Sequence, residues 1–262
     1  MRSNIAIGCC IAFLLATVPG AVAEECPGNP DALGTSRTIT VKPSDYPRVG
    51  TEQYDETLRL KNREVVITFD DGPMPPYTNK ILETLAEECV KATFFVLGAN
   101  VAEAPELVRR AFHEGHTIGT HTFTHGHLDN MPFAEAKKDI EKGIAVANEA
   151  LGNKRDLAPF FRAPYLDITE EIEKYFALSG IMIWSIDIDA EDWTKITDTQ
   201  LIDLVISRLE KAGKGILLLH DIQPVTALAL PKLLAELKRR NFHIVHVVPE
   251  GAPQPKNLTR IN

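Results

Sequence analysis

The sequence predicts one α/β domain built on a parallel sheet. From residue 65 to residue 248, short apolar runs alternate with segments in which apolar residues recur at helical spacing. Most of these runs are apolar throughout, which is typical of strands buried on both faces in a parallel sheet covered by helices. The alternation fits either a barrel or a doubly wound open sheet, and 262 residues suffice for one such domain.

The individual elements follow from apolar runs and from helix-start signals. The first strand, V-V-I-T-F, is β-branched and aromatic, and the next helix places Ile81, Leu82 and Leu85 on one face. The following helix begins at Pro105, because proline is favoured in the first turn. Strands are predicted at 65–69, 92–97, 116–120, 160–162, 181–186, 215–219 and 243–248. Helices are predicted at 77–89, 105–113, 132–151, 169–178, 198–211 and 228–240.

The N-terminus has the pattern of a secretory signal peptide. Arg2 precedes an apolar run at 5–18, and Ala21-Val22-Ala23 supplies small residues before Glu24. The run is short for a membrane span, although an uncleaved anchor is the alternative. Localisation is therefore predicted to be secreted or periplasmic, with no stable membrane insertion after cleavage. The predicted divisions are a signal peptide at 1–23, an extension at 24–60 with one short strand in T-I-T-V, a domain at 61–250 and a tail at 251–262.

Charge and cysteine content limit the function classes. The net charge is −8 with both signs scattered and no basic run, so nucleic acid is not an expected partner. Cleavage of the signal peptide removes Cys9 and Cys10 and leaves Cys26 and Cys89. An oxidising compartment permits a disulfide between them, and two unpaired structural thiols are the equal alternative.

The polar residues that could carry chemistry lie where predicted strands end. In parallel α/β folds, the carboxyl ends of the strands form the active-site face. Five separate segments contribute to this set, which makes turn chemistry alone an insufficient explanation. Its members are Asp70, Asp71, His121, His125, Arg162, Tyr165, Asp187, Asp189, Asp192, Trp193, His220 and Asp221.

Two of these segments suggest a metal site. The adjacent carboxylates of Asp70 and Asp71 repel each other, and a divalent cation held by one of them and by two histidines would offset that repulsion. His121 and His125 lie about 13 Å apart in an extended strand, whereas a helical turn brings such positions together. The strand must therefore end near Thr120 and curl, which the nearby Gly119 and Gly126 permit. An isolated pair of ordinary histidines is the alternative, and the five histidines other than His121, His125 and His220 have no evident partner.

Five motifs in order resemble the NodB-like polysaccharide deacetylases of carbohydrate esterase family four. They are T-F-D-D-G-P, H-T-F-T-H, F-R-A-P-Y, D-A-E-D-W and L-L-L-H, and they span Thr68 to His220. The resemblance implies a distorted (β/α)7 barrel and metal-dependent hydrolysis of N-acetyl or O-acetyl groups on a glycan, with metal-bound water as the nucleophile. It implies zinc as the metal, with cobalt or iron(II) as alternatives.

The resemblance also implies a role for each motif residue. Asp70 corresponds to the general base, and Asp71, His121 and His125 to the metal ligands. Arg162 pairs with the base and His220 is the general acid. The backbone N–H of Tyr165 helps to hold the oxyanion, while Trp193 and Leu218 form walls of the acetyl pocket. A fourth-motif aspartate orients the acid or the arginine; spacing favours Asp189, and strand alternation leaves Asp187 and Asp192 open.

Three other functions compete with this interpretation. Non-haem iron oxygenases also use two histidines and one carboxylate, but they require neither an extra base nor an acid. A secreted glycan-binding protein could keep the fold without catalysis, and related domains hydrolyse formamido sugars or other small amides. The expected partner is an N-acetylated glycan such as peptidoglycan or chitin oligomers, and the sequence does not determine which one or the oligomeric state.

Overall fold

A computed structural model describes residues 26–252, which form an α/β fold of parallel strands and flanking helices. The predicted signal peptide and residues 253–262 lie outside this range. No described helix is long and apolar enough to cross a membrane. The strands are β1 (Thr35–Val41), β2 (Arg48–Val49), β3 (Glu64–Asp70), β4 (Thr93–Val96), β5 (Thr117–Thr120), β6 (Phe160–Phe161), β7 (Met182–Trp184), β8 (Ile188–Asp189), β9 (Gly215–His220) and β10 (His243–Pro249). The helices are α1 (Tyr77–Glu87), α2 (Gly98–Glu103), α3 (Pro105–His113), α4 (Phe133–Leu151), α5 (Glu170–Ser179), α6 (Asp198–Ala212) and α7 (Pro224–Arg239), with 3₁₀ turns at Leu128–Asn130 and Pro164–Leu166.

The sheet closes into a distorted barrel. Its central order is β7-β6-β5-β4-β3-β9-β8, and every pairing is parallel. In a flat sheet, six strand spacings would separate β7 from β8 by about 29 Å. The four Cα steps from Trp184 to Ile188 span at most about 14 Å. The sheet must therefore curve until its two ends meet, as the predicted barrel requires.

Strand alternation decides which residues of β3 face the barrel interior. Val65, Ile67 and Phe69 belong to the core between the sheet and the helices. Val66 packs instead in a second cluster with Phe95, Phe160 and Trp184, inside the barrel. Because side chains alternate along a strand, Thr68 and Asp70 point to the same interior as Val66. The last residue of β3 is therefore a carboxylate at the inner rim.

The N-terminal extension is part of the sheet rather than an irregular segment. β1 pairs with β10, which in turn pairs with the start of β3, and β2 pairs with the outer side of β7. The seam between β7 and β8 is joined through Asp187. Its carboxylate accepts hydrogen bonds from the backbone and hydroxyl of Thr51, the hydroxyl of Thr57 and the backbone of Ile216. The short strand expected at T-I-T-V is confirmed. The rest of the extension, for which no strand was predicted, also joins the sheet through β2.

Most predicted elements are present within two residues of their predicted ends, and three differences have local causes. The strand predicted at 181–186 ends at Trp184, because the chain then crosses the seam to begin β8. α7 begins at Pro224 rather than at residue 228, with proline in its first turn. The six-residue helix α2 was not predicted, since it is too short to show a periodic pattern.

Cys26 and Cys89 form a disulfide, which resolves the alternative of two free thiols. Their Cα atoms lie 5.7 Å apart, and they are separated by 63 residues in sequence. Cys89 follows the end of α1, so the bond ties the beginning of the described chain to the outside of the barrel. The cysteines therefore serve the fold and lie outside the candidate site.

Candidate active site

The carboxyl ends of the strands bring most of the predicted site residues together. Asp70 and His220 are the last residues of two adjacent strands and are directly paired in register. The turn after β3 carries Asp71, and the segment after β5 carries His121 and His125. The side chain of Arg162 reaches the same centre from the end of β6.

Asp71, His121 and His125 form a compact triad. The Nε2 atoms of His121 and His125 lie 3.4 Å and 3.1 Å from Asp71 Oδ1, and all three ligand atoms lie within 4.8 Å of one another. The predicted curl after β5 exists, but Thr122 and His125 adopt left-handed conformations, with φ of 66° and 60°. Gly119 is needed for packing instead, since a Cβ there would lie 2.9 Å from the Phe95 ring.

The triad fits a divalent cation. Ligand atoms about 2.1 Å from zinc in tetrahedral geometry lie about 3.5 Å apart, close to the two distances to Asp71. Asp71 Oδ1 is buried and has no hydrogen-bond partner among the described residues, so a cation would satisfy it. Burial opposes ionisation, but contact with His121 and His125 lowers the pKa of Asp71 well below its usual range. His121 Nδ1 donates to the Arg162 carbonyl at 2.8 Å, which aims its Nε2 at the triad.

Asp70 lies beside the triad and is held by Arg162. The guanidinium donates to Asp70 Oδ1 at 2.6 Å and to the Thr68 hydroxyl at 2.9 Å, and it lies 4.3 Å from the centre of the Phe95 ring. Arg162 is wholly buried, so its charge needs this carboxylate. Asp70 Oδ2 faces the triad instead, 3.9 Å from His121 Nε2. One carboxylate thus has one oxygen held by Arg162 and the other turned towards the metal ligands.

His220 is paired with Asp192, which corrects the expectation for Asp189. His220 Nδ1 lies 2.6 Å from Asp192 Oδ1, and the backbone of His220 donates to Asp192 Oδ2 at 2.7 Å. Burial opposes protonation, but the contact with Asp192 outweighs it and raises the pKa of His220 to about 9. Asp189 Oδ1 instead accepts the Glu191 N–H at 2.8 Å, in its own turn.

The correction has a local backbone cause. β8 ends at Asp189, and Glu191 adopts a left-handed conformation with φ of 51°. Strand geometry therefore stops before the tryptophan, so the spacing that favoured Asp189 does not apply, and the turn directs Asp192 towards His220. Asp192 is buried and Asp187 is used at the seam, so the three candidate aspartates have three different surroundings.

The three predicted substrate-binding residues border this centre. Tyr165 has φ of 58° and is 56% exposed, and its ring lies 4.7 Å from that of His125. Trp193 follows Asp192 and is 60% exposed, so its indole is available to a ligand. Leu218 is buried two residues before His220 on the same face of β9. Exposed aromatic rings next in sequence or space to residues of a polar centre suit a sugar ring.

Three histidines that showed no partner in the sequence have partners in the structure. His127 stacks on the Tyr165 ring at 3.8 Å and lies 2.8 Å from Asp167. His116 accepts the Ala92 N–H, and His246 contacts the Thr117 hydroxyl. His116 and His246 are both buried, as expected of histidines with an ordinary structural role.

Asp221 is a residue of this region to which the sequence assigned no role. It is 1% exposed, and burial raises the pKa of its carboxyl to about 7 despite a hydrogen bond from Thr78. A Cβ on Gly72 would lie 2.0 Å from Asp221 Oδ2. The signal that could have revealed it is the H-D pair at the end of β9, opposite the D-D-G turn.

Comparison with known proteins agrees with this geometry. Residues 58–184 match the family model described as polysaccharide deacetylase. A chitooligosaccharide deacetylase of Sinorhizobium fredii is 32% identical over 202 residues, which cover 71% of this chain and 91% of the relative. The chain belongs to the polysaccharide deacetylase family. This confirms the family, and with it the hydrolase class, that the five motifs predicted.

Other relatives extend the comparison to longer proteins and to solved structures. A peptidoglycan-N-acetylmuramic acid deacetylase of Bacillus subtilis is 32% identical over 194 residues, covering 74% of this chain but 40% of that protein. The structure of a peptidoglycan deacetylase of Bdellovibrio bacteriovorus superposes with a TM-score of 0.74 at 30% identity, covering 84% of this chain and 61% of that one. The chain thus spans less than two thirds of the length of these two relatives.

Proposed function

We propose that this protein removes N-acetyl groups from a glycan by metal-dependent hydrolysis. The observation that carries the proposal is the arrangement around Asp71. Asp71 Oδ1, which has no hydrogen-bond partner within residues 26–252, lies close to two imidazoles. Arg162 holds the carboxylate of Asp70 beside it, and the imidazole of His220, held by Asp192, belongs to the adjacent strand. Metal-dependent amide hydrolysis uses a cation, a base and an acid, and the arrangement offers candidates for all three.

Asp71, His121 and His125 would hold the metal. Two imidazole nitrogens and one carboxylate oxygen suit zinc, a borderline cation that accepts both ligand types, with cobalt and iron(II) as the alternatives. Three protein ligands also leave a position for water or substrate, as in catalytic zinc sites. When bound, the cation would lower the pKa of a water and polarise the acetyl carbonyl.

Asp70 would act as the general base. Its Oδ2 atom faces the triad and is free of Arg162, so it can accept the proton of an attacking water. Arg162 fixes the other oxygen and therefore the direction of the carboxylate. The two neighbouring aspartates differ in this way: Asp71 points at the metal position, and Asp70 is held beside it.

His220 would protonate the departing amine. An amide nitrogen is a poor leaving group until it gains a proton, so a protonated imidazole is needed near neutral pH. Asp192 keeps His220 protonated and also fixes its ring, because it accepts from both the backbone and Nδ1 of the same residue. Asp192 thus takes the orienting role that spacing had favoured for Asp189.

The exposed aromatic rings would bind the sugar. Trp193 and Tyr165 are exposed and can meet a ligand, and Leu218 would supply apolar surface for the acetyl methyl group. The Tyr165 backbone N–H is the proposed donor to the oxyanion. The relatives are named as deacetylases of peptidoglycan and of chitooligosaccharides, so the proposed substrate class is an N-acetylated glycan.

The proposed domain organisation places this activity outside the cytoplasm. Residues 1–23 serve as a signal peptide, residues 24–60 complete the sheet, and residues 61–250 carry the site. The disulfide suits an oxidising compartment. N-terminal sequencing of exported protein should begin at Glu24, and a sequence that still contains Arg2 would contradict export with cleavage.

Acetate release from defined glycans tests the activity. Purified protein with zinc should release acetate from chitooligosaccharides or peptidoglycan fragments, and mass spectrometry should show the loss of acetyl groups. The variant His125→Ala should lose both bound zinc and acetate release. Glycan binding without acetate release would indicate a silent binding protein, formate release from formamido sugars would indicate the related amide hydrolases, and oxygen consumption would indicate an oxygenase.

A further inference from the structure

The buried carboxyl of Asp221 lies directly behind the turn that carries Asp71. Its Oδ2 atom accepts the Thr78 hydroxyl at 2.6 Å, while its Oδ1 atom has no hydrogen-bond partner among residues 26–252. The backbone of Asp221 donates to the Asp70 carbonyl at 3.3 Å. A carboxyl in this position does not touch the proposed acid or base, yet it is costly to bury.

Gly72 explains why the carboxyl lies there. A Cβ on Gly72 would lie 2.0 to 2.3 Å from the carboxyl atoms of Asp221, so the two groups are packed in contact. The Gly72 N–H also faces this carboxyl and favours its charged form. Asp71, the preceding residue, has φ of 76°. A left-handed conformation is unfavourable for a residue other than glycine, so the surroundings must impose it.

The same turn is held from its opposite side. The Leu97 N–H donates to the Gly72 carbonyl at 2.9 Å, and the Asn100 amide donates to the Asp71 carbonyl at 2.7 Å. Thr78 closes the network, because its hydroxyl accepts the Met74 N–H at 2.8 Å and donates to Asp221. The backbone around Asp71 therefore lies between β4 and α2 on one side and Asp221 on the other.

We propose that Asp221 is a positioning residue for the metal site, which holds the Gly72 turn and thereby fixes the direction of the Asp71 carboxylate. The inference rests on the proposed metal role of Asp71. Asp221 acts through Gly72 and Thr78 and takes no part in proton transfer. Its loss should therefore weaken metal binding first, and turnover at saturating metal should largely survive.

Zinc affinity measured by chelator competition tests this role in four variants. Asp221→Ala and Thr78→Val should each raise the zinc Kd at least about tenfold, with kcat at saturating zinc within about threefold of the wild type. Asp221→Asn keeps the shape and an acceptor oxygen, so its Kd should lie nearer to that of the wild type. The control is Thr117→Val, which removes a buried hydroxyl bonded to His246 and Val247 on the framework. This control should lower the Tm without changing the zinc Kd.

A Kd within threefold of the wild type in both Asp221→Ala and Thr78→Val would overturn the proposal. If Asp221→Ala does not fold, Thr78→Val decides the question alone, since valine keeps the volume of threonine. A wild-type protein that binds no zinc would instead refute the proposed metal site, and with it both proposals. The alkaline limb of the pH profile should stay unchanged in all of these variants, because none of them alters the partner of His220.

Discussion

Replacing Asp192 by asparagine should move the alkaline limit of activity to lower pH. The acid must be protonated to act, so activity falls as pH rises through the pKa of His220. Burial lowers this pKa, and contact with Asp192 is the largest influence that raises it to about 9. Asparagine keeps the size and an acceptor oxygen but removes the charge. The pKa of His220 should then fall from about 9 to near 7, close to its ordinary value of 6.5.

The size of the effect follows from the protonated fraction. At pH 8, a pKa near 9 leaves about nine tenths of His220 protonated, whereas a pKa near 7 leaves about one tenth. The variant should therefore lose about tenfold in kcat relative to the wild type at pH 8 and much less at pH 6. The assay is acetate release from pH 5 to 10 at saturating zinc, with the His220 pKa of the metal-free protein measured by NMR.

The matched control for this prediction is Asp189→Asn. Asp189 was the candidate favoured by sequence spacing, and its carboxylate accepts a hydrogen bond only within its own turn among the described residues. The alkaline limb of the pH profile of Asp189→Asn should coincide with that of the wild type. A limb that moves in Asp189→Asn and stays in place in Asp192→Asn would refute the assignment of His220 and its partner.

Two further predictions concern stability. His246 is buried, which lowers its pKa from 6.5 to about 4, so the folded state resists a proton that the unfolded state binds. The contribution of this group to stability is present above pH 6.5, and about 2 kcal/mol of it is lost between pH 7 and pH 5. In urea unfolding, the change in unfolding free energy between these two pH values should differ by about this amount between the wild type and His246→Gln, and an equal pH dependence in the two proteins would contradict the assignment. The Cys26–Cys89 disulfide joins residues separated by 63 positions, so replacing both cysteines by serine should cost about 4 kcal/mol on the loop-entropy scale. Zinc affinity should remain unchanged in this double variant. An unchanged denaturation midpoint would show that the bond does not restrict the unfolded chain.

The parts of the fold that depend on local pattern could be predicted from the sequence. α3 begins and ends where proline and the apolar spacing predict, and β3 was predicted within one residue at each end. The junction between β7 and β8 could not be predicted in this way, because it depends on a hydrogen bond from Thr51 to Asp187, 136 residues away in sequence. The two-residue strand β2 also has no pattern of its own and forms only by pairing with β7.

The residues of the candidate site also divide into those that the sequence could predict and those that it could not. The metal triad was predicted because the motifs name residue types whose chemistry requires them to meet, and the structure brings their ligand atoms together. Asp189 and Asp192 could not be told apart, since the answer depends on a left-handed backbone at Glu191 that strand alternation does not reveal. Asp221 was included among the residues at the strand ends but was given no role, because its neighbours are the Gly72 turn and the Thr78 hydroxyl rather than a charged group.

The measurement that tests the central claim most directly is zinc rescue of Asp70→Asn and Asp71→Asn. Asp71→Asn replaces an anionic ligand by a neutral one, so zinc affinity should fall and excess zinc should restore part of the activity. Asp70→Asn keeps its size and an acceptor for Arg162 but cannot take a proton. Zinc should still bind to it while turnover falls by about 10²-fold or more, and added zinc should restore none of it. Rescue of Asp70→Asn but not of Asp71→Asn would show that the two roles are exchanged, and rescue of both would remove the general base from Asp70.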